Sequence, residues 1–522
     1  MKYINLIFIM VFKAGVFGQT TIEIGNNNAH AYISDHGTFF NNQGSFSAGY
    51  EIPAGSGNHT VYMMGLWMGG LDNSDQLHMA VGSSVAGSDL FAGPIANDYN
   101  SPFYLANYSD AIWKITKSQI HYHMNNFTAT GYVPDPAISE WPGNGNVSEG
   151  IAQQLAPYID VNGDQIYNPM DGDYPYIQGD EAVYVIMNDV AGDHTITGTD
   201  SLGFEIHFMF YQFTASDAIN NTTFMNVKLY NRSSINYHDF YLGLWMDYDL
   251  GEANNYYIGC DSVRNLSYVY NGYDTDNGQG GQPGYGPNTP AFGSVLLNQP
   301  LGTFLTYNLS GAMNGDPSVA PDFYYYLKGY WKNGAHILYG GNGFNVGTTT
   351  SESNFMYSGN PLNGTGWNEI TEGNPPGDKR GVMSTKAMDV AAGTSVCFDY
   401  AFIYNRDGNT HLENANELLS TADFVQTYYN DNIQPCNQIF LANHEQSLKQ
   451  FAVYPNPSNG NFYLELEENA LVSVLNLNGQ VVSEFNCGEG INEINLNVDN
   501  GMYFIQLRTM NKTSFFKIEI MQ

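Results

Sequence analysis

Between residues 160 and 171 the chain reads Asp160-Val161-Asn162-Gly163-Asp164-Gln165-Ile166-Tyr167-Asn168-Pro169-Met170-Asp171. Side-chain oxygens stand at the first, third, fifth, ninth and twelfth places, and the backbone carbonyl of Ile166 falls at the seventh. With this spacing a 12-residue loop wraps one Ca2+ in oxygens, because a hard cation prefers carboxylate and carbonyl donors. Two residues depart from the pattern. Gln165 holds the sixth place, where glycine usually makes the sharp turn, and Gly163 sits two places earlier. Asp171 is shorter than the usual glutamate and less suited to bidentate binding. Pro169 and Pro175 break any helix on that side. The expectation is a structural Ca2+ held by Asp160, Asn162, Asp164, Ile166, Asn168 and Asp171. It would brace a β-rich body rather than open a helix pair, with affinity of about 10⁻⁴–10⁻³ M. The other reading is a cluster of Asx turns without a metal.

Other carboxylates gather nearby and further on. Asp173 and Asp180 extend the acidic stretch and serve a second ion or face water. Asp247, Asp249, Glu252 and Asp261 form another group, in which Asp247 and Asp249 share one face of a strand. Such a pair can share a cation, act as acid and base, or lie in turns. Glycoside hydrolysis needs two carboxylates at a set distance across a cleft, which sequence does not give. His121 and His123 would lie on one strand face, without an evident third ligand. The chain has no H-E-x-x-H, G-x-S-x-G, P-loop or dinucleotide glycine motif. Trp67, Trp113, Trp141, Trp245, Trp331 and Trp367 read as packing residues or sugar platforms.

The elements that must position these groups are mostly strands. In 522 residues, 43% are hydrophobic, 14% aromatic and only 13% charged, with 56 Gly, 21 Pro and 39 Tyr. That composition favours many short strands joined by turns over long helices. The 17 basic and 51 acidic residues leave a formal charge of −34, so neither a phosphate backbone nor an anionic membrane is an expected partner. Apolar, β-branched and aromatic runs at 59–71, 181–189, 203–214, 222–231 and 238–249 read as strands, and 382–406 repeats their style. In 203–214, Phe204, Ile206, Phe208 and Phe210 alternate with Glu205, His207, Met209 and Tyr211, giving one apolar and one mixed face. Leu418, Leu419, Ala422, Val425 and Tyr429 recur at helical spacing within 412–430. A shorter helix is expected around 149–158, and 274–290 reads as a long polar loop. Gly65-Leu66-Trp67-Met68 is echoed by Gly243-Leu244-Trp245-Met246, which two related sandwich units would explain.

The ends of the chain concern export. Lys2 followed by the apolar run 4–12 and small residues near 16–18 describes a signal peptide. No other stretch reaches the length of a spanning helix. Of the four cysteines, Cys397 and Cys436 are the expected disulfide, Cys260 a buried structural thiol, and Cys487 separate from the main body. Residues 451–522 form short alternating strands joined by Asn-Gly and Pro-Asn turns, a small all-β sandwich.

Tyr454-Pro455-Asn456-Pro457 with Asn459-Gly460, Leu477-Asn478-Gly479-Gln480 and Gly501-Met502-Tyr503-Phe504 make this segment resemble the type A sorting domain of type IX secretion, found in Bacteroidota. The resemblance implies the outer-membrane translocon and its sorting peptidase as partners, with removal of the domain and attachment to surface lipopolysaccharide. Met521-Gln522 departs from the basic ending common in that family. The body resembles a group of uncharacterised surface proteins of the same bacteria through G-L-W-M-G-G-L-D near 65, 160–175, 220–224, 229–233 and I-G-C-D near 258. The acidic loop is similar to those of dockerins and related extracellular calcium repeats.

The expected architecture is mainly β, with one or two β-sandwich (jelly-roll or Ig-like) units in the body and a small C-terminal sandwich. The segments are a signal peptide (1–18), an N-terminal β-rich region (19–150), a main sandwich with the calcium loop and a late helix (151–440), a linker (441–450) and the sorting domain (451–522). The expected role is non-catalytic, in adhesion, surface structure or glycan binding, outside the cell or on its outer surface. The alternative is a secreted polysaccharide or protein hydrolase using Asp247, Asp249 or Asp261.

Overall fold

The computed structural model describes residues 21–45, 47–82, 87–345, 351–438, 453–454, 458–466, 469–476, 481–488, 490–498, 500–508 and 513–521. The leader 1–18, the linker 441–450 and the sorting-domain motifs at 455–457 and 477–480 lie outside the described residues. The chain divides into two units, Met1–Asn443 and His444–Gln522.

The first unit is built on two large antiparallel sheets. One runs Thr21–Ile24, His30–Ser34, Tyr50–Glu51, His59–Leu71, Tyr237–Tyr248, Arg380–Thr385, Leu301–Tyr307 in spatial order. The other runs Tyr256–Asp261, Leu266–Asn271, Ala291–Leu296, Ser395–Asn405, Thr223–Asn231, Phe204–Gln212, Glu181–Asn188, Phe91–Ala92. The alternation in Phe204–Gln212 does what it predicts. Phe204, Ile206, Phe208 and Phe210 enter the core shared with the first sheet, while Met209 and Tyr211 enter a second core on the opposite face. Edge-on aromatic contacts join the sheets, with Phe39 and Phe208 centroids 4.9 Å apart and Tyr50 and Phe292 5.1 Å apart.

The second core is closed by the helix His411–Asn432. Thr410 caps it by accepting the Glu413 N–H, and Leu418, Ala422, Val425 and Tyr429 face inward against Tyr268, Val295, Ala401 and Ile403. Its far end is tied down twice. Cys436 is bonded to Cys397, and buried Asp399 accepts from the Tyr429 hydroxyl at 2.7 Å and the Cys436 N–H at 3.0 Å. The expected pairing is therefore the one found.

Strands from both sides of residue 150 share each sheet, so 19–150 and 151–440 are parts of one compact unit. The two Gly-Leu-Trp-Met segments are not cores of separate sandwiches. They are adjacent antiparallel strands centred on the pair Leu66 and Leu244, each tryptophan opposite a glycine of the other copy. With no Cβ opposite, the indoles of Trp67 and Trp245 reach across and stack, centroids 6.0 Å apart and planes 15° off parallel.

Two local expectations fail for local reasons. The helix expected near 149–158 is a single 3-10 turn, Val147–Glu149, ended by Gly150 in the left-handed region at φ 78°. His121 and His123 lie on the helix Lys117–Asn126, started by a capping box between Thr116 and Gln119. Two residues apart on a helix they diverge, His121 to solvent and His123 inward to the Tyr132 hydroxyl at 2.9 Å.

The second unit has a three-stranded sheet (Val453–Tyr454, Asn461–Leu466, Gly490–Asn495) and a four-stranded one (Val481–Cys487, Ala470–Leu475, Gly501–Arg508, Thr513–Ile520). Phe462, Leu464, Val472, Val474, Ile505 and Ile518 form their common core, which also buries the free Cys487. No helix among the described residues is long and apolar enough to cross a membrane.

Candidate metal site and its surroundings

The acidic loop begins at Asp160, just after the short strand Tyr158–Ile159, which pairs with Tyr174–Pro175. The two strands bring the ends of the loop together. Asp160 accepts the N–H groups of Gly163 and Gln165, each at 2.7 Å. Gln165 takes the left-handed conformation at φ 64°, so it supplies the turn that glycine provides in the usual pattern. Asn162 accepts the Asp164 N–H at 3.0 Å and donates to the Asp164 carboxylate at 3.0 Å.

The loop closes two residues later than its spacing implies. Carboxylate oxygens of Asp160, Asp164 and Asp173 all lie within 4.8 Å of one another. Asp171 sits on the 3-10 turn Pro169–Asp171 and accepts from the Asn168 side chain at 2.6 Å. The Asn168 oxygen is engaged by the Met170 N–H at 3.1 Å. Gly172, at φ 101°, then turns the chain back so that Asp173 accepts from Val161 at 2.8 Å and Asn168 at 2.9 Å. Of the six residues expected to bind Ca2+, the structure thus brings Asp160 and Asp164 together, with Asn162 hydrogen-bonded to Asp164. Ile166 and Asp171 stand on the exposed side.

The electrostatics of the trio are unbalanced. Asp173 is fully buried and Asp160 nearly so, at 0% and 5% exposure. No Lys or Arg among the described residues pairs with any of the three. Burial pushes the Asp173 carboxyl above its ordinary range, the neighbouring charges of Asp160 and Asp164 add to this, and its two N–H bonds only partly offset it. Three converging carboxylates without a cationic side chain fit a hard divalent cation, since each oxygen that accepts one N–H keeps a lone pair for the metal.

The second carboxylate group separates. Asp261 accepts the N–H groups of Val263 and Arg264 and pairs with the Arg264 guanidinium at 2.7 Å, so it is spent on a turn. Asp247 faces Arg380 at 2.9 Å, nine-tenths or more of each side chain being buried. Asp378 also pairs with Arg380, at 2.8 Å. Asp249 has no such cation, and burial with the charges of Asp247 and Asp378 pushes it up to about 8. One guanidinium serving several carboxylates leaves both Asp247, pushed up to about 7 by burial, and Asp249 above the ordinary carboxylate range. Arg380 also lines a cleft of about 430 Å³ whose walls include Trp67, Trp245, Tyr307 and Phe323. The Cys260 thiol is buried, donates to the Met356 carbonyl at 3.2 Å and is pushed up by burial, which fits a structural role.

Sequence reasoning missed Glu369 and Lys379, a buried ion pair at 3.0 Å. Neither belongs to a motif, and their meeting depends on the fold of the 308–379 excursion.

Comparison with known proteins resolves the C-terminal unit. Residues 452–521 match the model of the secretion system C-terminal sorting domain. A tail of this kind implies export to the cell surface or secretion, through the type IX machinery. No curated protein matches the chain. Among solved structures, a polysaccharide lyase aligns at 9% identity and TM-score 0.21, over 67% of this chain and 37% of that one. The chain thus spans well under half the lyase's length, and at that score the likeness carries no argument.

Proposed function

We propose that this is an exported protein that acts without catalysis outside the cell, in adhesion, surface structure or glycan binding, with a body braced by Ca2+. The observation that carries the reading is the sorting tail on residues 452–521. The brace is supported by the convergence of Asp160, Asp164 and Asp173 with no Lys or Arg pairing among the described residues. Asp160, Asp164 and Asp173 would hold the ion, and backbone carbonyls and water would complete its shell. The bound ion would join the two ends of the loop and so stiffen the edge of the second core that Tyr158 and Tyr167 enter. Asp261 is engaged in a turn and Asp247 by Arg380, which counts against a hydrolase built on those two and leaves Asp249 as the carboxylate of that alternative. Attachment to surface lipopolysaccharide after removal of the tail belongs to the same reading.

The test is a pair of chains expressed in a host with a type IX system, one full length and one lacking residues 452–521. The full chain is expected at the surface or in the medium and the shortened one in the periplasm. Equal export of both would defeat the reading.

A further inference from the structure

Beside the aromatic cleft lies a second one, of about 300 Å³, with Tyr307 as a shared wall. Its lining is amide and hydroxyl in character, including Asn308, Asn314, Asn342, Asn374 and Ser310, with Glu369 and Lys379 in its deeper part. We propose that this cleft binds one ring of a neutral saccharide. The proposal narrows the glycan-binding option above to a place and a ligand class, and rests on that reading in taking binding, not turnover, as the outcome.

Charge argues against anionic and cationic ligands. The one basic lining residue, Lys379, is held by Glu369 and by the Tyr256 and Pro375 carbonyls at 3.3 and 3.1 Å, so no cation is left to attract a phosphate or carboxylate. Glu369 is likewise committed, to Lys379 and to the Ile258 N–H at 2.8 Å. The pair cancels, and the lining is neutral but dense in hydrogen-bonding groups. A wholly apolar ligand would strand those groups without partners.

What remains suits a polyhydroxylated ring. An amide presents a donor and an acceptor side by side, which matches two adjacent hydroxyls. The side-chain amides of Asn308 and Asn314 make no hydrogen bond to any described residue and are available. Asn374 is held in place by donating to the Tyr357 hydroxyl at 2.9 Å. Thr306, which also lines the cleft, is buried and its hydroxyl has no partner among the described residues. Tyr307, buried and oriented by accepting the Trp245 indole N–H at 2.8 Å, fixes the wall that divides the two clefts. The volume is at the small end of the roughly 300–1,000 Å³ typical of ligand sites, which suits a single ring. The apolar walls beyond Tyr307 would meet whatever the ring is attached to.

The experiment is calorimetric titration of the full chain, in millimolar CaCl2, with cellotetraose, xylotetraose, mannotetraose and maltotetraose, and with tetragalacturonate as a charged control. At least one neutral sugar should bind saturably, with little dependence on salt and with preference over the charged control. The double variant Asn308→Ala/Asn314→Ala loses no side-chain hydrogen bond to a described residue, so it should melt with the parent chain yet bind at least tenfold more weakly. Binding by no neutral sugar, or unchanged affinity in the double variant, overturns the proposal. Neither result touches the export reading. Cleavage of a bound sugar would support the site while sinking the non-catalytic reading.

Discussion

The calcium brace makes a quantitative prediction that separates Asp173 from Asp171. A ligand that binds only the native state stabilises by RT ln(1 + [L]/Kd), so with Kd at about 10⁻⁴ M, ~10 mM Ca2+ contributes about 2.7 kcal/mol. The first unit spans 443 residues. At about 2.1 cal/mol/K of unfolding entropy per residue, its total is roughly 0.9 kcal/mol/K, and the melting temperature should rise by about 3 °C. The assay is a thermal melt of the full chain in CaCl2 and in EDTA, repeated for Asp160→Asn, Asp171→Asn and Asp173→Asn. The quantity to compare is the calcium-dependent increment in each variant. Asp173→Asn also weakens the loop's own hydrogen bonds, so its absolute melting temperature falls in both media. The increment should vanish in Asp160→Asn and Asp173→Asn and survive in Asp171→Asn, whose carboxylate is turned toward Asn168. No increment in the parent chain would refute the brace. An increment lost in Asp171→Asn but kept in Asp173→Asn would refute the geometry while leaving a metal in the loop.

Two further predictions concern stability. Asp249 holds its proton to about 8 in the folded chain but gives it up near 4 when unfolded, so unfolding releases a proton between those values. Stability should therefore fall as pH rises across that window, by at most about 1.4 kcal/mol per unit from this group. Denaturant titrations at pH 5 and 8 should show a shallower fall in Asp249→Asn, and parallel curves would disprove the assignment. The Cys397–Cys436 bond closes a loop of 39 residues, which in the chain-entropy account contributes roughly 4 kcal/mol. Reductant should lower the melting temperature by about 4 °C in the parent chain and leave Cys397→Ala/Cys436→Ala unmoved; equal responses would count against the bond.

The strand-rich class, the inward face of Phe204–Gln212, the late helix and the small C-terminal sandwich were legible in the sequence itself, while the sorting role of that tail came from its resemblance to a known family. Each rests on contiguous residues, whether the two-residue alternation of a strand, the spacing of Leu418, Ala422 and Val425, or turn chemistry. The oxygen spacing from Asp160 to Asp164 was legible for the same reason. The third converging carboxylate was not, because the positive φ of Gly172 turns the chain so that Asp173, and not Asp171, meets Asp160 and Asp164. Nor does any local pattern announce that the two Gly-Leu-Trp-Met segments pair with each other, since register between distant strands follows from which faces bury together. The clefts on either side of Tyr307 are further still from local reading. Their walls come from strands of the first sheet, from residues between 308 and 379 and, in the aromatic cleft, from Thr195 and Ile196, and only the packed chain sets Glu369 against Lys379. Sequence thus determined the periodic elements, and its likeness to a sorting family pointed to export. Tertiary structure decided which carboxylates meet, which are paired with a cation, and which polar side chains line a cleft, because each depends on contacts between segments far apart in the chain.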